Sequence, residues 1–326
     1  MKRTLLLICT LLCANVLFAQ EQLAVLRHND STSVFYGQTA FEQAYTAATH
    51  GDIITLSDGI FSTPSSIRKG ITVRGNGAVA DTARRSTGTY FMESFRVTCD
   101  TLEFVAEGIY FDWFDDDLAD CNIKLSKCII RYLENCVGGE ITNCIIKNGG
   151  ISIMGGNVPR STIINSVIRC YYDGHIRGLP DFVDCRNSII IGKGDIYETY
   201  TQYSNCIIIN KGTTDDTIVD NKTNNSILID WDSTSHMAST DNVFMSVSDV
   251  FENWDGETIS YDPETYVLKS SVSDSIQGID GSEVGIFGGF MPFEWRPSYS
   301  IIKRFNVANR TTADGKLSVD IEVISE

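Results

Sequence analysis

Four fragments of the chain read alike: Cys128-Ile129-Ile130-Arg131, Cys144-Ile145-Ile146-Lys147, Ser166-Val167-Ile168-Arg169 and Ser188-Ile189-Ile190-Ile191. Each is a small residue followed by a β-branched pair. Upstream the phrase returns as Gly70-Ile71-Thr72-Val73, Gly88-Thr89-Tyr90-Phe91 and Gly108-Ile109-Tyr110-Phe111. Downstream it returns as Cys206-Ile207-Ile208-Ile209, Ser226-Ile227-Leu228-Ile229 and Asn242-Val243-Phe244-Met245. The steps between first residues run from 16 to 22, about 19 on average. Asn143, Asn165, Asn187, Asn205 and Asn225 stand immediately before the small residue. The β-branched pairs favour short strands, and the Gly, Asn, Asp and Thr between them favour turns.

A step near 20 residues is too short for a helix-plus-strand crossover. It fits one coil of three short strands and three turns, stacked into an all-β parallel β-helix of about ten coils. The small residue suits a crowded position where neighbouring coils touch. The repeated Asn suits a turn whose amides bond from coil to coil. The uneven steps fall in turns, where insertions cost little. Leucine-rich repeats would need a Leu-x-x-Leu-x-Leu frame, which is absent, and a propeller needs units of about 40 residues.

A stack of coils exposes apolar surface at both ends and must be capped. Thr39-Ala40-Phe41-Glu42 is a capping-box signature, and Phe41, Ala44, Tyr45 and Ala48 follow at helical spacing. Residues 39–49 are therefore expected to form an amphipathic capping helix. That helix is followed by Gly51-Asp52-Ile53-Ile54-Thr55-Leu56, Asp58-Gly59-Ile60-Phe61 and Gly70-Ile71-Thr72-Val73-Arg74-Gly75-Asn76-Gly77. The whole resembles the opening of many pectin-lyase-like β-helix proteins. Gly278-Ile279-Asp280-Gly281 through Val284-Gly285-Ile286-Phe287-Gly288-Gly289 is similar to the closing coil of secreted members. The resemblance covers roughly residues 36–290 and implies a right-handed solenoid, and the whole unit, helical cap included, is placed at 21–290. It implies no single activity, because the superfamily contains lyases, hydrolases, esterases, epimerases, adhesins and proteins with no known reaction. Beyond it, Leu317, Val319, Ile321 and Val323 alternate with polar residues. An Asp314-Gly315 turn precedes them, and 300–307 is the expected partner strand. Residues 291–326 are read as a small β appendage covering the last coil.

Residues 1–20 read as a secretory signal peptide: Lys2 and Arg3, an apolar run over 5–17, and a cleavage site near Ala19 or Gln20. The run is too short to span a bilayer, and no later stretch qualifies. The protein is expected to be exported to the periplasm, the cell surface or the medium. The chain carries 26 basic residues, two of them in this leader, against 42 acidic ones. Nucleic acid is excluded as a partner, since phosphate neutralisation supplies most of that affinity. The acidity itself reads as solubility.

Eight cysteines lie beyond the leader. Cys128, Cys144 and Cys206 stand where other coils have Ser or Gly, so they are read as small buried residues. Adjacent Cys such as Cys128 and Cys144 lie one coil apart with parallel Cβ vectors, which suits a thiol stack better than a disulfide. No Cys-x-x-Cys pair exists and the four His are scattered, so no metal centre is expected.

Three clusters are candidates for function. Arg131, Lys147 and Arg169 hold the fourth position of three successive phrases, which predicts a basic ladder that would bind a carboxylated sugar or pair with Glu134, Glu140 or Asp173. In β-helix lyases a Lys or Arg commonly removes the proton beside a uronate carboxylate, so these three are also candidate catalytic bases. The run Asp112, Asp115, Asp116, Asp117, with Trp113 and Phe114 between, would stack and hydrogen-bond a sugar. Its carboxylates could instead serve a glycoside hydrolase or hold Ca2+, or simply form a solvated turn. The third cluster is Tyr171, Tyr172 and Asp173-Gly174-His175. Asp115-Asp116 and Gly174-His175 resemble fragments of the polygalacturonase motifs. Ile176 replaces the second Gly, however, and the Asn-Thr-Asp and Arg-Ile-Lys elements are missing. Asp116 and His175 therefore stay as candidates only. The expected function is carbohydrate binding or surface interaction without catalysis, with a polysaccharide or cell-surface glycan as the partner. A lyase or hydrolase acting on an acidic polysaccharide is the alternative.

Overall fold

A computed structural model describes residues 22–82, 86–99, 102–116, 122–134, 139–150, 161–172, 175–176, 183–192, 202–211, 222–230, 238–256, 258–296, 301–307 and 319–324. The chain winds into a parallel β-solenoid. Two sheets run the length of the stack. The first contains ten parallel strands, from Ile53–Leu56 to Ala238–Thr240. The second also contains ten, from Gly59–Ile60 to Val243–Met245. Each coil gives one strand to each sheet. The three strands expected per coil are thus two among the described residues. In the early coils the second-sheet strand also turns a bend and runs on. Ile130 pairs with Ile146, pairing skips Arg131, and it resumes at Tyr132 with Asn148. Inward residues before and after the bend, such as Phe91 and Phe95, or Ile130 and Leu133, line two sides of one interior.

The phrase read from the sequence marks the corner between the sheets, with two adjustments. Gly70-Ile71-Thr72-Val73 belongs to the first sheet, where Thr72 pairs with Ile53. At Gly108 the frame is one residue longer, so Ile129 pairs with Tyr110. At the corner itself Asn143, Asn165, Asn187, Asn205 and Asn225 all have φ between +46° and +57°. This is the left-handed region that Asn tolerates better than other side chains. The next residue then turns back into the second sheet. The Ser hydroxyls there link coils: Ser166 Oγ accepts from Cys144 N at 3.0 Å, and Ser188 Oγ accepts from Ser166 N at 3.2 Å.

Cys128, Cys144 and Cys206 occupy the same row as buried thiols, each with its sulfur within 3.2–3.3 Å of a carbonyl two residues back. Burial pushes the Cys144 thiol well up and the Cys206 thiol up to about 12. Cys99, which lies outside this row, is disulfide-bonded. At pH 8 the three buried thiols of this row, Cys128 and Cys144 stacked on adjacent coils and Cys206 further along, are expected to resist a thiol reagent in the native protein and to react fully after denaturation without reductant. Native labelling at the rate of an exposed cysteine, or no thiol after denaturation, would disprove the stack.

The expectation that the solenoid runs to residue 290 is corrected. Its last strand ends at Met245, and residues 246–296 fold back along the outer face of the second sheet. There they form a second core. Outward residues Ile129, Ile145, Val167, Ile189, Ile207 and Ile227 are buried, and the returning strap brings Phe251, Trp254, Tyr266 and Val284 onto this face. The segment similar to a closing coil is the part of this strap that runs over the Asn corner. Asn165 Nδ2 donates to the carbonyls of Ile286 (2.8 Å) and Gly288 (2.7 Å). Asn205 Oδ1 accepts from Ile279 N at 2.8 Å. These amides thus bond to the strap rather than from coil to coil.

The N-terminal end is closed as expected by a helix, Ala40–Ala47, with Ala40, Phe41, Ala44 and Tyr45 buried. Phe41 reaches into the interior, its ring 4.9 Å from Phe91 and 5.9 Å from Phe95. The capping box does not form: Thr39 makes no side-chain cap, and its Oγ1 accepts from Gln43 Nε2. Lys69 Nζ instead caps the far end, donating to the carbonyls of Tyr45, Thr46 and Ala48. An antiparallel hairpin, Leu23–His28 with Ser31–Tyr36, extends the first sheet beyond its first coil. At the other terminus Ile301–Val307 pairs antiparallel with Val319–Ile324 as a sheet of its own. Among the described residues no helix is long and apolar enough to cross a membrane.

Candidate functional site

The bend in the second sheet gathers much of the candidate set. Pairing on either side of it places Asp112, Arg131 and Lys147 in one row across three coils. A register shift after Ile146 precedes Arg169, which pairs onward with Ile191. The basic ladder therefore exists, headed by an acid. The first rung is paired: Arg131 Nη1 donates to Asp112 Oδ1 at 3.0 Å, with 45% of the Arg131 side chain exposed. That bond raises the guanidinium pKa further. The partner is Asp112 of the preceding coil rather than Glu134, Glu140 or Asp173. Arg169 is half-buried and is itself engaged.

Beside this row lies an aromatic pair. Past the bend Trp113 pairs with Tyr132, and both side chains are half-buried. Their ring centroids are 5.1 Å apart and the rings are tilted by 31°. The Arg131 guanidinium sits 5.0 Å from the Tyr132 centroid. Two positions further, Asp115 is buried and held by Arg96 at 3.2 Å. On the other side of the row the strap contributes Tyr261. Lys147 Nζ stands 5.9 Å from its ring, and the Tyr110 ring meets it edge-on at 6.1 Å. Burial first, then the neighbouring Tyr110, pushes the Tyr261 phenol far up. It therefore remains a neutral hydrogen-bonding group across the physiological range.

Asp112, Trp113, Arg131 and Lys147 are thus brought together, with Arg169 at the edge of the set. Asp116 and His175 lie on strands, pairing with Val97 and Tyr172. Their side chains, like that of Tyr171, lie outside the described residues, as do Asp117 and Asp173. Tyr132, Tyr110 and Tyr261 escaped the sequence reading. Tyr132 was findable from register alone, one residue past Arg131 and opposite Trp113. Tyr261 carries no local signal, because the strap's path is set by tertiary packing.

A second polar cluster lies at the N-terminal end. His28 Nδ1 and Asp52 Oδ1 are 2.8 Å apart, and Asp52 accepts from Thr49 N at 2.7 Å. Burial alone would raise the Asp52 carboxyl, but the bonds from Thr49 and His28 outweigh it and hold the pKa below the usual range. Among the described residues no group of three or more His, Cys, Asp or Glu side chains is arranged to hold a metal ion. Compared with protein-family models, curated proteins and solved structures, the chain found no match in any of the three.

Proposed function

We propose that this protein is an exported glycan-binding β-solenoid that holds an acidic polysaccharide or cell-surface glycan against the bend of its early coils without cleaving it. The observation that carries this reading is the Trp113–Tyr132 ring pair with Arg131 and Lys147 in register beside it. Half-buried rings offer flat apolar faces for sugar rings, and their polar edges stay wet. Guanidinium and ammonium groups answer carboxylates. The cations sit on an acidic chain, so the attraction is local and salt-sensitive. Among the carboxylates of the hydrolase alternative, Asp112 and Asp115 are each engaged by an arginine.

On an array of uronate-containing and neutral glycans, the mature chain is expected to retain uronate-containing oligosaccharides. The Arg131→Ala/Lys147→Ala double variant and Trp113→Ala should each weaken that binding at least tenfold. Uronate binding unchanged in both variants would remove the bend as the site. Accumulation of cleaved product over hours would replace binding with catalysis.

A further inference from the structure

At the N-terminal end of the solenoid the first sheet finishes on the strand Ser31–Tyr36. It pairs with Leu23–His28 on one side and, among the described residues, with no strand on the other. The register shows which backbone groups face that open side. Gly37 N donates to the Gln22 carbonyl, whereas the Leu23 carbonyl turns the other way to accept from Ser57 N. Bonded pairs alternate along an antiparallel ladder. Ser31, Ser33 and Phe35 therefore spend their amides on Leu23–His28, while Thr32, Val34 and Tyr36 turn three N–H and three C=O groups outward. Such an edge is a template for a further strand, and proteins ordinarily blunt it by brevity, charge, Pro or a bulge. The other three ends of the two long sheets are strands of two or three residues. This one has six, and Ser-Thr-Ser-Val-Phe-Tyr holds no charge, no Pro and no break in register. Val34 is 45% exposed and Tyr36 57%.

We propose that this edge is a two-fold joint, at which a second copy of the chain adds its own Ser31–Tyr36 strand antiparallel to the first. The strand is complementary to itself. With the axis at Val34, Val34 lies opposite Val34 of the second copy, and Thr32 opposite Tyr36 in both directions. That register bonds all six outward groups. A shift of two residues either way carries Thr32 or Tyr36 past the end of the facing strand. The facing side chains are then β-branched and aromatic pairs, which stabilise a sheet, and an isologous contact of this kind closes at two copies. Charge points the same way. The chain has 42 acidic against 26 basic residues, so its copies repel one another. At this end the repulsion is absent: the strand is neutral, and Asp30 falls opposite Gln38 of the second copy. The capping helix, packed against the strand, exposes Gln43, Thr46 and Ala47, which are neutral too. A six-residue edge is small beside the roughly 1,200–2,000 Å2 buried in stable complexes, so the pair separates on dilution.

The test is sedimentation velocity of the mature chain over a hundredfold range of concentration. Reversible dimerisation is expected, and a chain that stays monomeric throughout would overturn the proposal. Val34→Lys and Val34→Glu each set like charges face to face on the axis, and each should weaken the dimer at least tenfold. Val34 is already exposed, so both variants should keep the wild-type denaturant midpoint. Mixed in equal amounts, the two variants should recover a heterodimer, because opposite charges then meet on the axis. That recovery separates the joint from a loss of folding. Dimerisation untouched in both variants, or two monomeric variants that stay apart when mixed, would overturn the two-fold pairing. The Arg131→Ala/Lys147→Ala variant should dimerise as the wild type does; loss of its dimer would move the contact to the bend.

Discussion

A chain ended after Met245 is expected to be insoluble or unfolded, although all ten coils remain. Without the strap, Ile129, Ile145, Val167, Ile189, Ile207 and Ile227 would form one continuous apolar stripe in water, joined by Ile191, Ile209 and Ile229. Burying each such side chain is worth roughly 1.5–3 kcal/mol. A domain's whole stability is about 5–15 kcal/mol, so loss of the stripe's cover exceeds what the fold can absorb. A milder probe is Trp254→Ala. Trp254 lies 6% exposed between Phe251 and Tyr266, with ring centroids 4.8 and 4.9 Å away. Its loss should cost about 3–5 kcal/mol, read as a lower denaturant midpoint. A truncated chain that stays monomeric and unfolds cooperatively would show that the strap is dispensable.

The cap is the second place where a small change should have a large effect. Phe41→Ala is expected to cost about 3–5 kcal/mol. The ring fills the first coil against Phe91 and Phe95, and no backbone adjustment of the helix can close the gap. Removing residues 39–49 altogether should expose that end of the stack and cause aggregation. The cap should also loosen in acid, through Asp52. Its folded pKa is lowered, so its contribution is fully present above the unfolded value near 3.8 and is lost as pH falls through the lower folded value. Asp52→Asn should remove that acid-side slope and leave a protein already less stable at neutral pH. Unaltered acid unfolding in Asp52→Asn would remove Asp52 from the cap's support. A soluble, cooperatively folding chain without the helix would remove the helix itself.

Much of the fold was legible because a solenoid repeats its constraints. Asn before a small residue means a left-handed corner, and the corner recurs wherever Asn143, Asn165, Asn187, Asn205 and Asn225 stand. The strap was harder to see, though the sequence held a sign of it. Alternation predicts that, if Arg131 faces outward, Ile129 does too, and an outward apolar row needs a cover. Along the chain, however, the fourth position changes from Arg131, Lys147 and Arg169 to Ile191, Ile209 and Ile229. Strands apolar at every position are strands covered on both faces. The switch marks how far the cover extends. The capping box misled for a local reason: Gln43 competes for Thr39 and wins. At the site, the ladder followed from register, whereas Tyr261 arrives from a segment about 130 residues away from Arg131 in sequence.

The strap also changes how the molecule should come apart. In a simple stack each coil touches only its neighbours, so terminal coils fray one after another and unfolding spreads inward from an end. Here one segment grips Asn165 and Asn205, two coils apart, and lies over apolar residues from many coils at once. A coil cannot peel away without first tearing that seam. Local opening is therefore confined to the first coils and the terminal ribbon, while the seamed coils hold or yield as a block.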